Sequence, residues 1–248
     1  MGTRIAFTNA NALIERCDVA DVILAAGRNS IEDGAVLPAD NWRPLNATEA
    51  EELRANANDA PASMIELVRV LADSSVPAPG RPLIEHVNAF NPFASHHDAD
   101  FLAAGDEQPG QTTTTIDTTV GLHLGIHLDN HDKLNLAERT ASRRRVGLNL
   151  GPGVRHLLVG TLDIFDIFDI CAAIDAVPRH YPHTNDIRRH VAAGRQLRVL
   201  RIRLNPGDAY IAPTELVPHD GSTLTAAAPS RIAFWLGHWP VGTLRSLV

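Results

Sequence analysis

Lysine is nearly absent from this chain: Lys133 is the only one among 22 Lys and Arg residues, which leaves 21 arginines. A GC-rich coding sequence produces that bias, and no chemistry is read from it. Cysteine is almost as scarce. Cys17 and Cys171 are far apart, which excludes a disulfide framework and a thiolate metal site and suits a reducing cytoplasm. No apolar run reaches membrane-spanning length, and the first residues, Met1 to Ile5, lack the apolar core of a signal peptide, so a cytoplasmic protein with no membrane partner is expected. A basic stripe is missing too. The net charge is −7, the isoelectric point is near 5.9, and the densest basic run is Arg143-Arg144-Arg145, so no nucleic-acid partner is expected.

What the chain does have is 248 residues, 44% of them hydrophobic, enough for one sizeable core. We read residues 1–248 as a single domain in two parts. Residues 1–110 read as a helical support region. Asp18 to Ala26, stopped by Gly27, has the pattern of a helix. Thr48-Glu-Ala-Glu51 and Ser63-Met-Ile-Glu66 are capping-box patterns, the second followed by an apolar face of Met64, Leu67, Val68 and Leu71. Ser74 to Pro82 is a proline-rich connector. From residue 111 the character changes. Thr112 to Val120 is β-branched everywhere except Asp117. Arg145–Leu150, His156–Val159, Leu200–Leu204, Ala209–Ile211 and Arg231–Leu236 read as strands, and Asp163–Asp175 as a helix. The expected fold is mainly β: a sandwich or barrel, residues 111–248, braced by N-terminal helices.

One constellation carries chemistry. In His127-Leu128-Asp129 alternate side chains share a strand face, so the imidazole and carboxylate point the same way and Leu128 points into the opposite layer. His219 follows a later strand after a short polar loop. Two imidazoles and a carboxylate hold one face of a ferrous ion and leave the other open for dioxygen and an organic co-substrate. His127, Asp129 and His219 are therefore the candidate metal ligands and catalytic residues. With twelve histidines in the chain, an H-x-D pair alone is weak; the surrounding pattern strengthens it.

That pattern is Asn205-Pro-Gly-Asp-Ala-Tyr-Ile211, then His219-Asp-Gly-Ser-Thr223, then Ser230-Arg-Ile-Ala-Phe-Trp235. It resembles the distal half of iron(II)/2-oxoglutarate-dependent dioxygenases. Arg145-Val-Gly-Leu-Asn-Leu-Gly-Pro-Gly-Val-Arg155 looks like the second strand pair of the branch that hydroxylates or halogenates free amino acids in secondary metabolism. The resemblance covers roughly residues 112 to 240. It implies a double-stranded β-helix (a jelly roll), iron(II), and a reaction in which 2-oxoglutarate and dioxygen give succinate, carbon dioxide and a hydroxylated substrate. It also implies that Arg231, twelve positions after His219, binds the far carboxylate of 2-oxoglutarate. Arg145, Asn149 and Arg155 share strand parity and are candidates for holding co-substrate or substrate; Thr115, Thr118 and Asn130 are candidate pocket donors. The expected partner is a small molecule, an amino acid or derivative; a homodimer is left open.

Alternatives remain at this point. A halogenase of the family has Gly or Ala in place of the carboxylate, and His123-Leu124-Gly125 reads as that form; Asp129 favours His127 and a hydroxylase. Desaturation or cyclisation would use the same ligands. A cupin-type metalloenzyme would not need 2-oxoglutarate, and a binding protein on the same barrel would need no chemistry. The remaining polar groups take ordinary readings: His96-His97-Asp98 as loop, Asp163, Asp166 and Asp169 as a polar helix edge, His180, His183 and His190 as a solvated loop, His131 as a neighbour of the site, Trp235 and Trp239 as packing.

Overall fold

A computed structural model describes residues 2–27, 30–71, 82–89, 91–93, 99–169 and 181–248. Cys171, His180, the His96-His97-Asp98 segment, most of the Ser74–Pro82 connector and the end of the Asp163–Asp175 helix lie outside the described residues. The strands are β1 (Arg4–Ala6), β2 (Cys17–Leu24), β3 (Ile31–Pro38), β4 (Arg43–Pro44), β5 (Met64–Arg69), β6 (Asp100–Glu107), β7 (Ile116–Asp117), β8 (Leu122–Gly125), β9 (Arg144–Pro152), β10 (Arg155–Gly160), β11 (Arg198–Leu204), β12 (Asp208–Ala212), β13 (His219–Ser222), β14 (Ser230–Gly237) and β15 (Arg245–Ser246). Short helices join them: α1 (Ala10–Ile14), α2 (Ala47–Glu52), α3 (Leu83–Ala89), α4 (Ile164–Asp169) and α5 (Thr184–Ala192).

The strands form two mixed sheets. One runs β1-β5-β12-β9-β14-β6, with β15 on β5; the other runs β13-β10-β11-β2-β3-β8-β7, with β4 on β2. Ile65, Leu67 and Tyr210 of the first sheet share a buried cluster with Val19, Leu157, Val159, Leu200 and Ile202 of the second. The sheets therefore face each other across the main core, and each buried Leu or Ile there contributes about 1.5–3 kcal/mol. The first sheet is apolar on its outer face as well: Val68, Val146, Leu148, Ile211, Ala233 and Trp235 pack with Phe93 and Trp239. The Phe93 ring lies 4.8 Å from that of Trp239. Both tryptophans are packing residues.

The N-terminal part differs from the helical layer expected of it: it supplies β1 to β6. Residues 18–24 belong to β2, held between β11 and β3; Asp18 sits opposite Arg201 and accepts from its Nη2 at 2.7 Å. Partners distant in sequence decide this strand and override the local helical pattern. Likewise Met64–Arg69 is strand β5, lying between β1 and β12. It buries both faces, so it shows no alternation that would separate strand from helix. A helix does form near Thr48, but its capping box is Asn46 with Glu49. Within Thr112–Val120 only Ile116–Asp117 is strand, because the Thr113 and Thr115 hydroxyls turn to the Asp220 carboxylate. His183 caps α5 by accepting from the Asn185 amide, and His190 on the same helix is buried, so these two do not form a solvated loop. Asp163 and Asp166 exchange hydrogen bonds at the start of α4. Among the described residues no helix is long and apolar enough to cross a membrane.

His156 on β10 links this packing to pH. Burial, then the nearby Arg201 cation, pushes its pKa down from 6.5 to about 4. The unfolded chain takes up the proton first, so stability is intact above pH 6.5 and falls as the pH is lowered from there toward about 4, by up to about 3 kcal/mol. In denaturant melts the parent should lose up to about 3 kcal/mol relative to His156→Leu as the pH is lowered from 6.5 to about 4; a difference between the two that stays constant from pH 7 to 4 would contradict this account.

Candidate metal centre

His127 and His219 meet as a directly opposed pair. Each backbone amide donates to the other's carbonyl, at 3.0 and 2.9 Å, and the two rings lie 4.5 Å apart, centre to centre. The Nδ1–H of His127 donates to the Gly125 carbonyl (2.9 Å) and that of His219 to the Val217 carbonyl (3.1 Å). With Nδ1 occupied in this way, each Nε2 carries the free lone pair, which is the tautomer a metal ligand needs. The His219 Nε2 is buried and has no hydrogen-bond partner.

Asp129 completes the group. Its amide donates to the Thr214 carbonyl (3.1 Å), and Leu128 before it is buried in the main core. That fixes the parity expected of H-x-D, and the carboxylate turns back toward the rings. Asp129 Oδ1 lies 3.8 Å from His127 Nε2, and Oδ2 lies 3.5 Å from His219 Nε2. One ligand atom from each of the three residues lies within 4.8 Å of the other two.

Charge reinforces the geometry. Burial alone would raise the Asp129 pKa, but the Arg145 guanidinium, donating to Oδ2 at 2.8 Å, outweighs it together with the neighbouring imidazoles, and the carboxyl is held well below its ordinary range. Burial and Arg145 push His219 well below its usual value, so its ring stays neutral. His131 touches the Asp129 carboxylate from its half-exposed side, at 3.4 Å. An anionic oxygen beside two imidazole nitrogens, one of them orphaned in the interior, is the donor set of a divalent transition metal.

A buried ion pair holds the ligand segment. Arg139 and Glu215 are fully enclosed and 2.7 Å apart. Arg139 also donates to the Asp129 carbonyl, the Asn130 side-chain oxygen and the Pro182 carbonyl, and the Asp132 amide donates to Glu215. Sequence reasoning missed both residues. A signal existed: Glu215 is the only charged residue from Ala209 to Pro218.

Beside the metal group lies a cavity of about 210 Å³, smaller than the roughly 300–1,000 Å³ of larger ligand sites. Its walls include Arg145, Arg155, Tyr210, Asp220, Ile232 and Phe234. The hydroxyl end of the Tyr210 ring lies against Gly147, where a Cβ would come within 2.4 Å of the ring, so only glycine fits there. The Arg145 head lies 5.0 Å from the Phe234 ring and 5.9 Å from Tyr210, which steers it to Asp129.

Other sequence candidates fall elsewhere. Arg231 is not among the cavity's lining residues; it pairs with Asp106, its neighbour on β6, with Nε donating at 2.8 Å. Strand register explains this: Ile232 and Phe234 face the cavity, and a bulge separates Arg231 from Ile232. Asn149 is buried against the β9–β10 turn, with its amide donating to the Gly153 and Leu204 carbonyls and its oxygen accepting from the Gly151 amide. It braces the turn and does not line the cavity. Thr115 lines the cavity, Thr118 is exposed, and Asn130 is taken up by Arg139. His123 lies in β8 opposite Ile31 and Ile116, outside the ligand group.

No protein-family model matches the chain, and no curated protein matches it.

Arg139→Met leaves Glu215 buried without its cation. Loss of about 3–5 kcal/mol of stability is expected. Because Asp129 loses its support, Mn(II) affinity should fall about 10- to 100-fold. Denaturant melts and a metal titration check both; a variant that is destabilised yet binds Mn(II) like its parent would show that the pair does not position Asp129.

Proposed function

We propose that this protein is an iron(II)/2-oxoglutarate-dependent oxygenase that hydroxylates an unactivated carbon of a small polar substrate, an amino acid or derivative being the best candidate. The observation that carries the reading is the His127-Asp129-His219 group, with its orphaned buried imidazole nitrogen, opening beside a small cavity lined by Arg145 and the buried Arg155. Consecutive strands cross between the sheets, with β9 in one, β10 and β11 in the other, β12 back in the first, β13 in the second and β14 in the first. This is compatible with the jelly roll that the reading requires.

Ferrous iron, with 2-oxoglutarate and dioxygen, supplies the oxidising power for the C–H bond. The chain's part is placement. His127 and His219 present Nε2 lone pairs and Asp129 a carboxylate oxygen on one side, leaving the opposite side open. Arg145, backed by Tyr210 and Phe234, keeps the Asp129 carboxylate ionised and aimed. The buried guanidiniums suit carboxylate-bearing ligands. Ile232, Phe234 and Leu157 give the cavity apolar wall that limits water. Because the carboxylate of Asp129, and not Gly125, joins the histidines, the reading favours hydroxylation over halogenation.

Succinate formation should depend on iron, dioxygen and a substrate from a panel of amino acids and derivatives. Asp129→Ala should reduce it to background. Full turnover in that variant, or none in the parent across the panel, would contradict the proposal.

A further inference from the structure

Arg155 opens β10 and is 2% exposed, yet its Nη1 has no hydrogen-bond partner. A buried guanidinium is costly unless something pairs with it. The other cations at the site are committed: Arg145 to Asp129, Arg139 to Glu215, Arg231 to Asp106. Two carboxyls share the cavity wall with it: Asp220 already accepts from the Thr113 and Thr115 hydroxyls and the Thr115 and Gly221 amides, and Glu107 acts on the guanidinium through its charge but leaves Nη1 without a hydrogen bond.

The position of the Arg155 head is informative. A Cβ at Gly221 would come within 2.8 Å of Arg155 Nη2 and 2.4 Å of the Thr114 hydroxyl, so the guanidinium and that hydroxyl lie against the bare backbone of Gly221. Gly221 is two residues after His219 on β13 and shares its face. Two strand residues span about 7 Å. At roughly 1.2 Å per bond of extended chain, the carboxyl carbons of a five-carbon diacid lie about 5 Å apart. A 2-oxo acid held at the metal group would therefore be long enough for its far carboxylate to reach Arg155, whose planar fork matches a carboxylate in a two-pronged pair.

We propose that Arg155, and not Arg231, seats the distal carboxylate of the 2-oxo dicarboxylic co-substrate, with Gly221 clearing the space and the Thr114 hydroxyl as a second donor. The proposal rests on the oxygenase reading above. It is tested by calorimetry on the full chain loaded with Mn(II), titrated separately with 2-oxoglutarate and with pyruvate, which has the same 2-oxo acid head and no distal carboxylate. The parent should prefer 2-oxoglutarate by roughly 10- to 100-fold. Arg155→Gln should erase that preference while binding Mn(II) and pyruvate as the parent does, and Arg231→Gln should keep it. Preference retained in Arg155→Gln and lost in Arg231→Gln overturns the assignment alone. A parent that binds neither keto acid overturns the oxygenase reading with it. If Arg155→Gln does not fold, a crystal structure of the parent with Mn(II) and 2-oxoglutarate decides: the distal carboxylate on Arg155 supports the assignment, and on Arg231 refutes it.

Discussion

The site depends on one pair of backbone hydrogen bonds. His127 and His219 are 92 positions apart in the chain, and the reciprocal bonds between their amides and carbonyls bring them side by side. In an antiparallel pair of this kind directly opposed side chains emerge on one face. The two imidazoles therefore stand together without any further device. Each then donates Nδ1–H to the carbonyl two residues before it, Gly125 for one and Val217 for the other. The same local arrangement, used twice, sets both tautomers and turns both Nε2 atoms to a common point.

The third candidate ligand is harder to hold. Asp129 follows the last paired residue of its segment, so its position comes from cross-links to other parts of the fold: the Thr214 carbonyl, the Arg139–Glu215 pair and Arg145. These are buried charges, and buried ion pairs add little net stability against a well-packed apolar alternative. Their value here is placement, because a site loose by an ångström loses its function. Two glycines serve the same end by permitting close approach. Gly147 admits the end of the Tyr210 ring, and Gly221 admits the head of Arg155.

The strands β9, β10, β11, β12 and β14 were legible in the sequence because they are short, rich in β-branched and aliphatic residues, and bounded by turns such as Asn205-Pro-Gly-Asp208; β13, His219-Asp-Gly-Ser222, reads as a polar loop and becomes a strand only by pairing with β10. The convergence of His127 and Asp129 was legible because H-x-D encodes it in two-residue spacing. β2 and β5 were not legible. Their sequences suit a helix locally, and only pairing with distant strands makes them β. The capping patterns at Thr48 and Ser63 show how little a four-residue motif decides; the first missed its cap by two residues and the second preceded a strand. The arginines show the same limit. Arg231 has the spacing the resemblance asks for, but a bulge and an acidic neighbour on β6 set its direction. Arg155 shows its isolation only once β13 and the Thr113–Thr115 segment are folded around it.

The central claim is that His127, Asp129 and His219 bind one divalent metal, and crystals grown anaerobically with ferrous iron test it most directly. Diffraction at the iron absorption edge should show a single anomalous peak per chain, within coordination distance of the two Nε2 atoms and the Asp129 carboxylate. A peak elsewhere, or none in protein that contains stoichiometric iron, would contradict the account.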